Sequence, residues 1–119
     1  MDLDTAINGY LDTRERLQKS WSSPLKLGDV GLKMATYGSY IGDHLGELKE
    51  KYEQDRAHIY LLTVKEKSAT FAENQARSET AELRGQIARI ELVHKNLWSL
   101  VSIIQSQLKT LNSESNNNF

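Results

Sequence analysis

Apolar residues recur at steps of three and four along most of this chain, and this spacing restricts its fold more than any other feature. The clearest run, which includes one histidine, comprises Leu83, Ile87, Ile90, His94, Leu97, Val101, Ile104, Leu108 and Leu111. Such steps place side chains on one face of an α-helix, whereas a half-buried strand alternates every second residue. The sequence therefore predicts an all-α fold with a helix at about residues 79–111.

Two earlier segments show the same spacing. In the first, Leu3, Ile7, Leu11, Leu17 and Trp21 predict a short helix over residues 3–21. In the second, the apolar positions are Met34, Tyr37, Ile41, Leu45, Leu48, Tyr52, Ile59 and Leu62. They predict a long helix over residues 29–64 with a coiled-coil-like seam, Asp29 being its expected N-cap. Pro24 disfavours helical geometry in the preceding residue, so a linker is expected between these helices.

Large apolar residues are sparse between residues 63 and 80, and two arrangements are compatible with that segment. The chain turns there and forms an antiparallel helical hairpin, or one helix continues through it. We favour the turn, because a single helix of about 80 residues far exceeds the usual length. The predicted fold is thus a short N-terminal helix plus a long antiparallel hairpin, forming a single domain over residues 1–111. The polar stretch 112–119 is expected to be a disordered tail.

Composition narrows the classes of function. The chain has 119 residues, a formal charge of −1 and no cysteine, which excludes a disulfide framework, a thiolate zinc site and a thiol nucleophile. It contains no apolar run of the roughly 20 residues that span a bilayer, and its first residues are acidic where a signal peptide is basic. We therefore expect a soluble, cytoplasmic protein that does not associate with membranes.

Catalytic and cofactor motifs are missing from the sequence. It has no Gly-x-Ser-x-Gly elbow and no phosphate-binding Gly-rich loop. Glu91 and His94, and likewise Asp55 and His58, have the spacing of helical metal ligands. However, a hairpin turning near residue 72 would leave these two pairs out of level by about 12 Å. The sequence predicts a non-enzymatic protein without cofactor or metal, in which His94 sets the helix register through a hydrogen bond.

Three glycines, Gly38, Gly42 and Gly46, follow one another at intervals of four in the second helix. Each helical glycine costs about 0.5–1 kcal/mol relative to alanine, so the row indicates a groove where another chain segment approaches closely. Two interpretations remain open. The groove is a protein interface, or it packs internally against the first helix, with Trp21 or Tyr10 lying in it.

The apolar face of the last helix is wider than one partner helix can cover. The residues that widen it are Leu92, Val93, Trp98, Leu100 and Ile103. A helix of a two-stranded coiled coil needs only a narrow seam. The sequence therefore predicts a homo-oligomer that also binds a protein partner, with Trp98, Leu100 and Ile103 at the protein interface.

Basic residues around the expected turn support an alternative function. These residues, with one possible base-stacking aromatic, are Lys65, Lys67, Phe71, Arg77, Arg84 and Arg89. Proteins that bind single-stranded nucleic acid combine basic grooves with aromatic platforms. Glutamates interleave with these residues and reduce the positive field, so nucleic-acid binding is the less favoured function.

Four segments within residues 32–114 have a pattern typical of one group of proteins: residues 33–37, residues 40–45, the Ala- and Glu-rich middle with Arg77, and residues 104–109. In these segments the chain resembles the small α-helical accessory proteins that tailed phages encode in their early and recombination regions. The resemblance implies a viral protein acting in the host cytoplasm on a host, replication or defence protein. It implies no catalytic residues.

Overall fold

The computed structural model describes residues 1–117, and the side chains through residue 115. Over these residues the chain forms four helices: α1 (Leu3–Ser20), α2 (Pro24–Val64), α3 (Ala69–Glu79) and α4 (Ala81–Asn117). None of the described residues lies in a strand. The predicted all-α fold with a short N-terminal helix and a long antiparallel hairpin is confirmed.

The two N-terminal helices meet at a short connection. α1 begins after Asp2, whose carboxylate accepts a hydrogen bond from the Thr5 amide at 2.7 Å. α2 begins at Pro24, five residues before the expected start at residue 29. Proline suits the first position of a helix because it has no amide hydrogen to leave unpaired. The Ser23 hydroxyl accepts from the Lys26 amide at 3.4 Å, so the cap is Ser23 instead of Asp29.

The chain reverses direction at residues 65–68, between α2 and α3. The amides of Glu66 and Lys67 both donate to the Thr63 carbonyl, at 3.1 and 3.0 Å. The Ser68 hydroxyl then caps α3 by accepting from the Phe71 amide at 3.2 Å. The alternative of one uninterrupted helix is therefore wrong.

Residues 69–79 form a helix where the sequence predicted only a turn. Its buried side chains are Ala72 and Ala76, one turn apart. The only large apolar residue of α3, Phe71, is half-exposed, and alanines suffice on the buried side because the helices approach closely there. α3 ends at Thr80, whose amide and hydroxyl both donate to the Ala76 carbonyl, at 3.2 and 2.7 Å.

α4 extends beyond the last apolar residue of its periodic pattern. The pattern ends at Leu111, but the helix continues to Asn117, so residues 112–117 are helical instead of a disordered tail. The remainder of the predicted tail, with Phe119, lies outside the described residues.

The chain forms two compact units, and α2 and α4 contribute to both. Unit 1 contains Met1–Gly42 and the part of α4 from Leu92 onward, and unit 2 is Asp43–Glu91. The predicted single domain over residues 1–111 stays a prediction.

In unit 1 the core lies between α1, the first half of α2 and the second half of α4. Its largest fully buried side chains are Tyr10, Leu27, Met34, Ile41, Leu97 and Ile104. α2 and α4 run antiparallel, with Gly31 facing Ile104 and Gly42 facing His94. A turn near residue 72, as assumed in the sequence analysis, would place His94 opposite about residue 50. His94 lies opposite Gly42 instead, because the chain reverses at residues 65–68.

In unit 2, the second half of α2 packs with α3 and the start of α4. Leu45, Ala72, Ala76, Ile87 and Ile90 are buried there. The Lys49 ammonium of α2 lies 2.8 Å from the Glu91 carboxylate of α4, and both side chains are about half exposed. The pair contributes little stability, since exposed ion pairs are worth about 0–1 kcal/mol.

Candidate protein-interaction surface

Side chains of α4 cover two of the three glycines in the row, Gly38 and Gly42. A Cβ on Gly38 would lie 2.5 Å from Leu97 Cδ2 and 2.9 Å from the Trp98 ring, and one on Gly42 would lie 3.0 Å from His94 Nε2. Gly38 and Gly42 therefore pack internally, as one of the two interpretations held. Their neighbours are on α4, however, and not the Trp21 or Tyr10 that were expected in the groove.

Gly46, the third glycine of the row, differs from the other two. It belongs to unit 2 and is exposed, and a Cβ added to it would have no neighbour within 4 Å. The row is thus not one continuous groove. A close contact that sequence reasoning missed is at Gly9, where a Cβ would overlap the Tyr37 ring. The only sequence signal was a glycine inside a helix.

His94 and Trp98 form a polar pair on the side of α4 that faces α2. Trp98 Nε1 donates to His94 Nε2 at 2.9 Å, and the two rings meet edge to face with centroids 6.2 Å apart. Because Nε2 accepts, the imidazole proton resides on Nδ1 in the neutral ring. The hydrogen bond predicted for His94 exists, but it joins two residues of one helix. It orients the indole that covers Gly38.

The widened face of α4 divides into buried and exposed parts. Trp98 and Leu100 are half-buried, whereas Ile103 keeps 48% of its surface exposed. Of the three α4 residues predicted at an interface, Ile103 therefore presents the most free apolar surface. Leu92, which the sequence analysis also placed on this face, is 60% exposed.

Ile103 lies in a shallow groove with Trp21, the first residue of the α1–α2 connection. The groove has a volume of about 300 Å³, and its other lining residues are Ser102, Ser106, Gln107 and Thr110. Gln107 Nε2 donates to the Trp21 carbonyl at 3.1 Å, which holds the connection against α4. Trp21 is itself 37% exposed. We call this surface the Trp21–Ile103 groove.

The stretch of α4 that carries this groove has an unusual charge pattern. Between Lys95 and Lys109 the sequence contains no charged residue, although 26% of the chain is charged. Exposed helix faces are normally charged, whereas the centres of protein interfaces are depleted of charge and enriched in aromatic residues. This signal was present in the sequence and was missed, because only the apolar positions were counted.

The six residues of the nucleic-acid alternative all lie in unit 2. The Lys67 ammonium lies 5.8 Å from the centroid of the Phe71 ring, which is 48% exposed. Arg84 donates from Nη2 to the Arg77 carbonyl at 3.1 Å, near the end of α3. Its guanidinium thus supports the junction between α3 and α4 and is partly withdrawn from solvent. Lys65, Lys67, Arg77 and Arg89 remain exposed.

Metal-ligand clusters and membrane spans were sought over the described residues. In that part of the chain, no three side chains of histidine, aspartate or glutamate come together as metal ligands. Glu91 and His94, which have metal-ligand spacing, instead contact Lys49 and Trp98 respectively. None of the described helices combines the length and apolar character needed to cross a bilayer.

Comparison with known proteins identified no relative: no family model, curated protein or solved structure matches this chain. The candidate function is therefore inferred from the chain's own surfaces.

Proposed function

We propose that this protein is a non-enzymatic helical interaction protein that self-associates through the Trp21–Ile103 groove. The observation that supports this proposal is the half-exposed Ile103 on a charge-free stretch of α4, beside a partly exposed tryptophan. Such a surface resembles the centre of a protein interface more than an ordinary solvated helix face.

The groove has the features that a second helix requires. Ile103 and Trp21 supply apolar area, and burying an isoleucine fully is worth about 1.5–3 kcal/mol. Ser102, Ser106 and Thr110 are small side chains that let another backbone approach closely. Tryptophan is among the residues that contribute most to binding energy.

The other predicted interface residues do not line the groove itself. Leu100 is half-buried and lies three residues before Ile103, on roughly the same face of α4. Trp98 is half-buried on the side of α4 that packs against Gly38, and Gly38 and Gly42 let α2 lie close to Trp98 and His94. Gly46 is exposed in unit 2 and remains a separate candidate contact.

Sedimentation of the wild-type chain from low to high micromolar concentration tests the proposal. We expect the wild-type chain to have a mass above that of one chain. The mass should fall in Ile103→Glu, and also in the double variant with Leu100→Glu, because burying a carboxylate in the interface is strongly disfavoured. Leu62→Glu is the matched control, since Leu62 is 55% exposed but lies in unit 2. A compact wild-type monomer at high micromolar concentration would contradict the proposal.

The resemblance to phage accessory proteins supplies the proposed setting. In that setting the chain is a viral protein of the host cytoplasm, and its further partner is a host, replication or defence protein.

The alternative function is binding of single-stranded nucleic acid by unit 2. It is supported by Phe71, which is half-exposed beside Lys67, with Lys65 and Arg77 exposed nearby in sequence. Binding of a labelled oligonucleotide at increasing salt tests it, since contacts to phosphates release counterions and give a steep decline in affinity. We expect no binding that depends on Lys65 and Lys67. Salt-sensitive binding that is lost in the double variant Lys65→Gln with Lys67→Gln, and retained in Lys109→Gln, would favour the alternative.

A further inference from the structure

The backbone carbonyl of Trp21 lies between the end of α1 and the start of α2. Trp21 has helical backbone angles, with φ −56° and ψ −37°. A turn that closes on its carbonyl would use the amide of the residue three positions later. That residue is Pro24, which has no amide hydrogen. The proline therefore leaves the Trp21 carbonyl open to a donor from elsewhere in the chain.

Gln107 of α4 supplies this donor. Its Nε2 atom donates to the Trp21 carbonyl at 3.1 Å, across 86 positions of sequence. Gln107 comes four residues after Ile103, so the two side chains are neighbours on one face of the helix. Both line the Trp21–Ile103 groove together with Trp21 itself. Gln107 thus links the α1–α2 connection to the face of α4 that carries Ile103.

This hydrogen bond acts on the backbone from which the Trp21 indole projects. Trp21 is 37% exposed and Ile103 is 48% exposed, so neither side chain is fixed by burial in the core. Holding the Trp21 backbone restricts where its ring can lie. Groups that are already in place lose less conformational freedom on association, which makes binding tighter. Gln107 is polar, and its contribution to the groove is therefore the position of Trp21.

We propose that Gln107 is a positioning residue for self-association. It holds the backbone of Trp21 so that the indole and Ile103 present one apolar surface to the second copy of the chain. This inference rests on the proposed function, since it assigns a residue that prepares the same groove.

The variant Gln107→Met separates positioning from apolar area. Methionine is about as large as glutamine, but it cannot donate this hydrogen bond, and it adds apolar surface to the groove. We expect sedimentation at equal concentration to show a lower average mass than wild type. The dissociation constant should be about threefold to tenfold higher, as the loss of one hydrogen bond implies. A mass equal to or above that of wild type would show that apolar area decides association, and would overturn the inference.

Gln105→Met is the matched control. It makes the same substitution two residues earlier, on the same charge-free stretch of α4. Gln105 is exposed and lines the groove that α4 forms with α2, but it does not line the Trp21–Ile103 groove. This variant should keep the wild-type mass, and far-UV circular dichroism should show both variants as helical as wild type. Equal loss of mass in the two variants would contradict a role specific to Gln107.

The fluorescence of Trp21 tests the positioning step separately from association. Trp98→Phe leaves Trp21 as the only tryptophan, and Ile103→Glu is the variant that the proposed function expects to be monomeric. In this double variant, Gln107→Met should shift the emission to longer wavelength and increase quenching by acrylamide, because the indole is more exposed to water. Gln105→Met should change neither quantity. Emission and quenching that are unchanged in Gln107→Met would overturn the inference.

The outcomes distinguish failure of this inference from failure of the proposed function. A wild-type chain that is monomeric at high micromolar concentration contradicts the proposed function, and the inference with it. If the wild-type chain is oligomeric and loses mass in Ile103→Glu but not in Gln107→Met, the groove stands and only the role of Gln107 is wrong.

Discussion

Replacing Gly38 by alanine should destabilise the protein, although alanine is the better helix former. The added methyl would lie 2.5 Å from Leu97 Cδ2 and within 3.0 Å of the Trp98 ring, closer than real carbon atoms approach. Overpacking of this kind costs about 1–3 kcal/mol. Thermal and urea unfolding should therefore show a lower free energy of unfolding than wild type.

Gly46→Ala is the matched control, at the same residue type on the same helix. The added methyl would enter open space, so only the higher helix propensity of alanine affects stability. It should raise the free energy of unfolding by about 0.5–1 kcal/mol. Gly42→Leu should behave like Gly38→Ala or worse, because His94 Nε2 lies 3.0 Å from the position of its Cβ. Equal effects at Gly38 and Gly46 would show that Gly38 is not in close contact with α4.

Truncating Leu97 should both destabilise the protein and relieve the crowding that Gly38→Ala creates. Leu97 is fully buried, and Leu→Ala in such a site costs about 2–5 kcal/mol. It also removes the methyl that a Cβ on Gly38 would strike. We therefore expect Gly38→Ala to cost less in the Leu97→Ala background than in wild type, with a coupling of about 0.5–3 kcal/mol in a double-mutant cycle.

Leu92→Ala provides the comparison for this cycle. Leu92 lies in the same unit but is 60% exposed, so its truncation should cost little and should add to Gly38→Ala without coupling. If the Leu97 cycle is also additive to within about 0.5 kcal/mol, Gly38 and Leu97 do not face each other, and the antiparallel register of α2 and α4 is wrong.

Much of the fold follows from the spacing of apolar residues. Met34, Ile41, Leu97 and Ile104 were placed on helix faces by their steps of three and four, and all are buried. The start of α2 could also have been read, because serine followed by proline is a common helix start. α3 was missed because its buried residues are alanines, which carry too weak a periodic signal to be seen without the helix they pack against.

The sequence by itself therefore determined the helical class and the core-facing residues of α4 and of the first part of α2, and it favoured the hairpin, because side-chain spacing reports on which residues share a face. The face predicted for α1 was wrong: Leu11 and Trp21 are exposed, and Ala6, Tyr10, Thr13 and Ser20 are buried instead. Only the tertiary structure decided which residue of one helix meets which residue of another. That register places Leu97 and Trp98 over Gly38, leaves Gly46 open, and half-buries Trp98 while Ile103 keeps 48% of its surface exposed. Periodicity identifies a face but not its neighbour. The identity of the neighbour is set by where the chain reverses and by how closely small residues let two helices approach.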